Sequence, residues 1–300
     1  FAEKNIELPS ADWDKDKFLE IAQALTYEKD GEKVYGTVAP TDYFTVTAWL
    51  YNNNMIKFLI PTAKEMKPSK EVPSQKLSEK SEAILTEMAK LSTDDLSIAY
   101  KIKPEQAEKE KQRWDAILAG EAKNYPAVEL FNGLMYRYIK RKDLSTCEKD
   151  FLSHQVFITS SFYGIIPAFY PIQEHRHDFH TKVKVNGQSL KNYWRAEYDQ
   201  FLEDSQVPVV SLLSSEFEDV FSPSLRKQLF TVSFMEDRNG ILKTHSTISK
   251  KARGAFLTAV MEESCQTIDA LRDLSFDDFY YRKDLSSDSE LFFVRKVKKA

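Results

Sequence analysis

The chain has 300 residues, and its 42 lysines and arginines against 46 aspartates and glutamates give a formal net charge of -4. This balance excludes a protein that binds nucleic acid through a uniformly basic surface, although it does not exclude a local basic site. Apolar residues make up 42% of the chain, which is enough for a core, and no apolar run reaches the roughly 18 residues of a membrane span. The two cysteines, Cys147 and Cys265, are too few for a disulfide framework. We therefore expect a cytoplasmic protein that does not enter the membrane.

Residues 1–54 differ in composition from the rest of the chain. They hold ten acidic and five basic residues, end in Asn52-Asn53-Asn54, and have an apolar spacing that predicts one helix over residues 12–25. The stretch IELPSADWDKDKFLEIAQALTYEKDGEKVYG resembles part of the sugar-binding lipoproteins of bacterial importers. This resemblance implies a fused or misjoined fragment, and the alternative is a genuine extension that docks on the main body.

From Met55 onward the sequence predicts a continuous mixture of helices and strands. The predicted helices cover residues 74–91, 104–119, 143–153, 189–203 and 250–265. The predicted strands cover residues 56–61, 207–213, 230–236 and 241–249, with two more around Tyr280 and Phe293. Arg238-Asn239-Gly240 separates two of these strands and is typical of a hairpin turn. The fold class that follows is α+β, in a single mixed domain over residues 55–300.

The common motifs of cofactor and metal sites are missing from the sequence, so we predict no cofactor. It has no Gly-rich phosphate loop, no paired CxxC, no HExxH and no nucleophile elbow. One histidine cluster could bind a divalent metal through His175, His177, Asp178 and His180. Because Arg176 lies among these ligands, and because short His-rich turns are usually solvated surface, we predict no metal site there. The nearby aromatic residues of 162–170 are more typical of a core than of a base-stacking surface.

A basic motif, Lys250-Lys251-Ala252-Arg253-Gly254, stands at the predicted start of a helix. Cations at a helix N-terminus oppose the helix dipole, so their presence there does not stabilise the helix. The free backbone N–H groups of the same turn bind anions, and phosphate is the natural ligand. The motif therefore predicts phosphate binding by Lys250, Lys251 and Arg253, with Ser249 as the N-cap. A merely solvated basic turn is the alternative.

Several strings along residues 55–300 together carry a family resemblance. They are FLIPTAKEM, ELFNGLMYRYI, ITSSFYGIIPAFYPIQEHRHDF, LKNYW, SLLSSEFEDV, KKARG and DFYYRKDLSSDSELFFVRK. In this order they resemble the motifs of the YaaA family of bacterial peroxide-stress proteins. The resemblance implies a cytosolic protein that helps bacteria to survive hydrogen peroxide, and that keeps unincorporated iron and oxidative damage low.

The same resemblance implies a DNA-binding fold with a helix-hairpin-helix element and a positively charged cleft. We assign that element to Tyr163-Gly164. The expected contacts to DNA or phosphate are made by Lys64, Tyr163, Gly164, Arg176, Lys250, Lys251 and Arg253. Two departures from the family pattern, Ser161 and Ile166, replace a glycine and an arginine and weaken phosphate contact at this element.

Three functions remain open at this point. The first is non-specific binding of double-stranded or branched DNA through phosphate contacts. The second is an enzyme acting on a phosphorylated or nucleic-acid substrate, with Glu216 as a general base in a cleft formed with Lys64, Lys251 and Arg253. The third is an iron-binding protein that uses the histidine cluster. If Glu216 and these three cations lie around one cavity, the enzyme is favoured over the other two functions. The sequence does not indicate a protein partner.

The change of composition at Met55 generates a first prediction. A chain of residues 55–300 should fold with the melting temperature of the full chain, because residues 1–54 are expected to add no packing to it. Thermal unfolding of the two chains, monitored by circular dichroism, measures this. A melting temperature lower by several degrees in the shorter chain would contradict the prediction.

Overall fold

The computed structural model describes residues 56–296, together with the backbone of two short N-terminal strands. These strands are β1 (Tyr27–Lys29) and β2 (Glu32–Val34), and they pair as an antiparallel hairpin. The chain divides into two compact units, Phe1–Ile56 and Lys57–Ala300. The helix predicted over residues 12–25 lies outside the described residues.

The second unit combines thirteen described strands with ten described α-helices and one short 3-10 helix, Tyr136–Tyr138. In chain order the strands are β3 (Lys57–Pro61), β4 (Asn124–Pro126), β5 (Val156–Ser160), β6 (Gly164–Pro167), β7 (Pro171–Gln173), β8 (Lys184–Val185), β9 (Gln188–Ser189), β10 (Val209–Ser211), β11 (Phe230–Arg238), β12 (Ile241–Lys243), β13 (Ser275–Phe276), β14 (Phe279–Tyr281) and β15 (Glu290–Lys296). The helices are α1 (Glu79–Ala89), α2 (Thr93–Tyr100), α3 (Pro104–Leu118), α4 (Ala127–Leu130), α5 (Thr146–Gln155), α6 (Leu190–Glu203), α7 (Ser215–Glu218), α8 (Pro223–Arg226), α9 (Ser246–Glu262) and α10 (Ile268–Arg272). Of the described helices, none is long and apolar enough to cross a bilayer.

One mixed sheet of nine strands organises this unit. Its order is β13-β14-β15-β11-β10-β3-β5-β6, with β12 attached to β11. The five central strands from β15 to β5 run parallel, and the outer pairs are antiparallel. Phe58, Leu59 and Ile60 of β3 are all fully buried, as expected for a central parallel strand covered on both faces. The predicted α+β fold class is confirmed.

Local signals in the sequence located five of the ten helices and six of the thirteen strands described in the second unit. The Asn-Gly turn is confirmed, because Asn239 and Gly240 both have positive φ, 58° and 83°, between antiparallel β11 and β12. Helix α1 starts later than predicted, since Ser78 and not Ser74 precedes it and accepts a hydrogen bond from its first turn. Helix α2 was not predicted at all. Its capping box of Ser92 and Asp95 is the signal that identifies it.

The segment around Tyr163 and Gly164 forms a β-hairpin, so the assignment of a helix-hairpin-helix element to it is wrong. Strand β5 pairs with β6, and Ser160 lies opposite Gly164. The Ser160 hydroxyl accepts hydrogen bonds from the N–H groups of residues 162 and 163, which closes the turn. Two helices joined by a short turn occur instead at α2 and α3, where Lys101 adopts a left-handed φ of 53° and Pro104 begins the second helix.

The strand order places a crevice at the end of β3. The chain passes from β3 to β5 on one side of it and later to β10 on the other, and both neighbours are parallel to it. In sheets of this kind the connections leave the carboxyl ends of the two strands in opposite directions, and the space between them holds ligands. This edge of the sheet is therefore where a site is expected.

Two glycines allow the walls of that space to approach closely. A Cβ atom on Gly133 would lie 2.6 Å from Cβ of Ala63, in the loop after β3. A Cβ atom on Gly254 of α9 would lie 2.2 Å from the carbonyl oxygen of Met135 and 2.8 Å from Cβ of Tyr138. Segment 133–138 is thus held between the loop after β3 and helix α9 by contacts that only glycine permits.

The close approach at Gly254 generates a second prediction. Gly254→Ala should destabilise the protein by about 1–3 kcal/mol, because backbone atoms of segment 133–138 must move to accommodate the added methyl group. Urea unfolding measures the change. Ser249→Ala, in the same helix, is the matched control and should leave stability nearly unchanged. Equal stability of Gly254→Ala and the parent would show that the two segments are not in close contact.

Candidate phosphate-binding cavity

A cavity of about 460 Å³ opens where β3 and β10 end. Its walls come from the loop after β3, the segment around the 3-10 helix, the end of the histidine cluster, the turn after β10 and the first turns of α9. The lining residues are Pro61, Thr62, Ala63, Lys64, Glu65, Gly133, Leu134, Met135, Tyr136, Arg137, His177, Asp178, Ser214, Glu216, Phe217, Ser246, Thr247, Lys250 and Arg253. The crevice expected from the strand order is therefore present and rich in charge.

The four cations of the lining differ in their partners. The Lys64 ammonium lies 2.7 Å from Asp178 Oδ2, and the Arg137 guanidinium donates to a carboxylate oxygen of Glu65 at 2.9 Å. Among the described residues, Arg253 makes no ion pair, and its buried Nε has no hydrogen-bond partner. Its pKa is lowered by burial, but an arginine remains protonated at any physiological pH. The negative charge of Glu218 opposes this lowering, but a partly buried guanidinium that makes no ion pair still attracts an anion.

Helix α9 begins at Ser246, four residues before Lys250, so the expectation of Ser249 as its N-cap is wrong. His245 occupies the cap position and its side chain makes no capping hydrogen bond. The basic motif therefore lies in the second and third turns of α9, and the dipole argument does not apply to it. Helical geometry replaces that argument, because Ser246, Lys250 and Arg253 are spaced i, i+4 and i+7 and share one face.

Helical geometry also places Lys251 on a different face of α9 from Lys250. A residue one position further along a helix is rotated by about 100°. The ammonium of Lys251 lies 5.4 Å from the centre of the Tyr138 ring and does not line the cavity. Of the four residues expected to meet in a cleft, Lys64, Glu216 and Arg253 do so, and Lys250 takes the place of Lys251.

Two carboxyl groups of the cavity are held in different environments. Glu216 accepts a hydrogen bond from the backbone N–H of Phe179 at 3.0 Å, and its other oxygen lies 3.2 Å from Nε2 of His180. Burial, together with the negative charge of Asp178, raises the pKa of Glu216. Although burial acts against it, the hydrogen bond and charge of Lys64 hold the pKa of Asp178 below its usual value. At neutral pH the cavity thus holds a stable carboxylate beside a carboxyl group that is more easily protonated.

Besides Lys251, three residues predicted to contact phosphate lie away from the cavity lining. The Tyr163 hydroxyl is buried and donates to Oε1 of Gln173 at 2.5 Å. A Cβ atom on Gly164 would lie 2.7 Å from the ring of Trp194, so this glycine serves packing. The Arg176 guanidinium lies 5.7 Å from the centre of the Tyr100 ring. The structure gives each of them a partner within the protein.

The histidine cluster does not gather around a common point. His175 and His177 are buried, and their Nδ1 atoms lie 2.8 Å from the carbonyl oxygen of residue 173 and from the hydroxyl of Ser161 respectively, whereas His180 is exposed beside Glu216. Within residues 56–296, no group of three or more potential ligands from His, Cys, Asp and Glu is placed to hold a metal.

One member of the histidine cluster belongs to the cavity, which sequence reasoning did not anticipate. His177 lines it, and its buried Nε2 has no hydrogen-bond partner. Burial lowers the pKa of His177 to about 3 and that of His175 to about 4, so both rings are neutral at physiological pH. His177 therefore offers a ligand a neutral hydrogen-bonding group. Its alternation with His175 is the only signal in the sequence, and it does not distinguish a core residue from a cavity residue.

These buried histidines generate a third prediction. The unfolded chain binds protons to both rings below pH 6.5, whereas the folded chain does not until about pH 4, so stability should fall as the pH decreases from 6.5 to 5. The fall is at most about 1.4 kcal/mol per pH unit for each histidine. His177→Gln should remove the contribution of one histidine to this slope. His154→Gln, at an exposed position, should leave the slope unchanged. Urea unfolding at several pH values measures the slope, and equal slopes in both variants would contradict the prediction.

Comparison with known proteins identifies the family of this chain. The family model described as peroxide stress protein YaaA matches residues 56–285. A UPF0246 protein of Streptococcus thermophilus strain CNRZ 1066 is 99% identical over 245 residues, which cover 82% of this chain and the whole of that protein. A UPF0246 protein of Streptococcus pyogenes serotype M3 is 56% identical over 242 residues, or 81% of this chain and 99% of that protein. The chain belongs to the YaaA family of peroxide stress proteins.

Proposed function

We propose that this protein acts in the cytoplasmic response to peroxide by binding DNA, duplex or branched, without sequence preference and through phosphate contacts at the cavity. The observation that carries the proposal is the pair of cations on one face of α9. Lys250 and Arg253 line the cavity together, and neither has a carboxylate partner among the described residues. Contacts to phosphate oxygens hold a protein on a nucleic acid without reading its sequence.

Neutral hydrogen-bonding groups support the same proposal. Ser246 and Thr247 lie in the uncapped first turn of α9 and line the cavity. The backbone N–H groups of such a turn have no partner within the helix and bind anions. His177 adds a neutral ring, and its unpartnered Nε2 is available to form a hydrogen bond with a phosphate group. Together these groups complement the charge of Arg253 and Lys250.

The size of the cavity restricts the kind of DNA contact that it can make. A volume of about 460 Å³ falls within the range of small-ligand pockets, so it accommodates a single phosphate-bearing unit and not a duplex. Leu134, Met135 and Phe217 provide apolar surface beside the cations. We infer that the unit bound is the end of a strand, or a nucleotide that leaves the stack at a branch.

Limitation of free iron is the second part of the proposal, as an outcome in the cell. The family membership supports it, because unincorporated iron is what converts peroxide into damaging radicals. No arrangement of side chains in residues 56–296 favours direct iron binding by the histidine cluster. We therefore place the iron effect downstream of nucleic-acid binding and not at a metal site.

Phosphate binding at α9 generates a fourth prediction. Lys250→Gln should weaken binding of a forked DNA with 5′-phosphorylated ends, and should lower the slope of log affinity against log salt by about 0.7–0.9. Lys251→Gln removes the same charge one residue away, outside the cavity, and should leave both quantities unchanged. Fluorescence anisotropy at several salt concentrations measures them.

Comparison of Lys250→Gln with Lys251→Gln distinguishes binding at the cavity from a general effect of positive charge on α9. Equal losses in both variants would mean that α9 acts only as a basic surface and that the cavity is not the binding site. No loss in either would place DNA binding elsewhere or exclude it. Thermal melting of each variant checks that the fold is intact.

A further inference from the structure

The cavity holds groups that phosphate binding alone does not require. Binding of an anion uses Lys250, Arg253 and the first turn of α9. A carboxylate facing the same space opposes that binding by repulsion, yet Glu216 and Asp178 both line it and their side chains are only 18% and 14% exposed. A buried negative charge next to an anion site is costly even where partners offset part of that cost, and carboxyl groups placed in this way are typical of functional sites.

We propose that the cavity is a hydrolytic active site that releases the terminal phosphate group from the end of a nucleic-acid strand. In this reaction Glu216 is the general base that activates the attacking water. This inference rests on the proposed function, because the phosphate bound at α9 is the group that reacts. It adds a reaction to the binding, and it assigns separate roles to the carboxyl groups.

The contacts of Glu216 suit it to accept a proton. One oxygen is oriented by the N–H of Phe179 at 3.0 Å, so the carboxyl group has a fixed position. Nε2 of His180 lies 3.2 Å from the other oxygen, whereas Lys64 is held 2.7 Å from Asp178 and makes no ion pair with Glu216 among the described residues. Burial and the charge of Asp178 raise the pKa of Glu216 toward the range in which a carboxylate is an effective base.

The other residues of the cavity supply what the reaction needs besides a base. Arg253 and Lys250 compensate the charge that develops on the phosphate oxygens, as cations do in phosphoryl transfer. Lys64, fixed by Asp178, is a proton donor on the same loop that ends β3. His177, neutral and without a partner at Nε2, orients the phosphate and takes no part in proton transfer.

The step balances with water as the only co-reactant. A water oxygen forms a bond to phosphorus while its proton passes to the Glu216 carboxylate. The bond between phosphorus and the sugar oxygen breaks, its electron pair stays on that oxygen, and the Lys64 ammonium protonates it. The products are inorganic phosphate and a free hydroxyl group. Glu216 returns its proton to Lys64 through solvent.

The test uses the full chain with two kinds of probe, 5′-phosphorylated and 3′-phosphorylated oligonucleotides, and measures phosphate release and strand binding in parallel. The parent protein should release phosphate from at least one of them. Glu216→Gln, which keeps an acceptor for the Phe179 N–H, should lower the rate by 10²–10⁴-fold while it binds the strand as tightly or more tightly. Glu216→Asp should recover part of the rate. Glu262→Gln, near the C-terminus of α9 and outside the cavity, should behave as the parent.

The outcomes distinguish this inference from the proposed function. Strand binding without phosphate release by the parent overturns the hydrolytic role and leaves binding intact. Release at the parental rate by Glu216→Gln overturns the assignment of the base. The rate of the parent should rise with pH through the ionisation of Glu216, and this dependence should be absent from the residual rate of Glu216→Gln.

Discussion

Two close backbone approaches, at Gly133 and Gly254, are the constraint on which the candidate site depends. They bring segment 133–138 against the loop after β3 on one side and against α9 on the other. The cavity is lined by segment 133–137, by the loop after β3 and by the first turns of α9, which these approaches hold together. A glycine that serves packing in this way contributes to the site, although it makes no contact with a ligand.

The sheet supplies the second requirement, because its parallel centre brings distant parts of the chain to one edge. Lys64 follows β3 and Glu216 follows β10, and these strands are neighbours with the same direction. Both residues are therefore carried to the same edge although about 150 positions separate them in the sequence. The polar turn after each buried strand is the place where charge is tolerated, since backbone groups there are not in the ladder.

The cations of the cavity differ in whether they form ion pairs. Lys64 pairs with Asp178, whereas Arg253 makes no ion pair among the described residues and its buried Nε has no hydrogen-bond partner. The neutral state of His177 follows mainly from burial, and the neighbouring His175 lowers its pKa further. This division, more than the number of charges, is what supports the proposals of an anionic ligand and of a role for Glu216 beyond binding.

The sequence by itself determined the fold class, the family and about half of the elements, because these depend on local periodicity, caps and turn residues. It also indicated Lys64, Glu216, Lys250 and Arg253. It did not determine the start of α9, which was wrongly predicted at Ser249, nor the β-hairpin at Tyr163. Only the tertiary structure decided which side chains meet. A shift of one residue on a helix rotates Lys251 out of the cavity, and the strand order brings His177 into it.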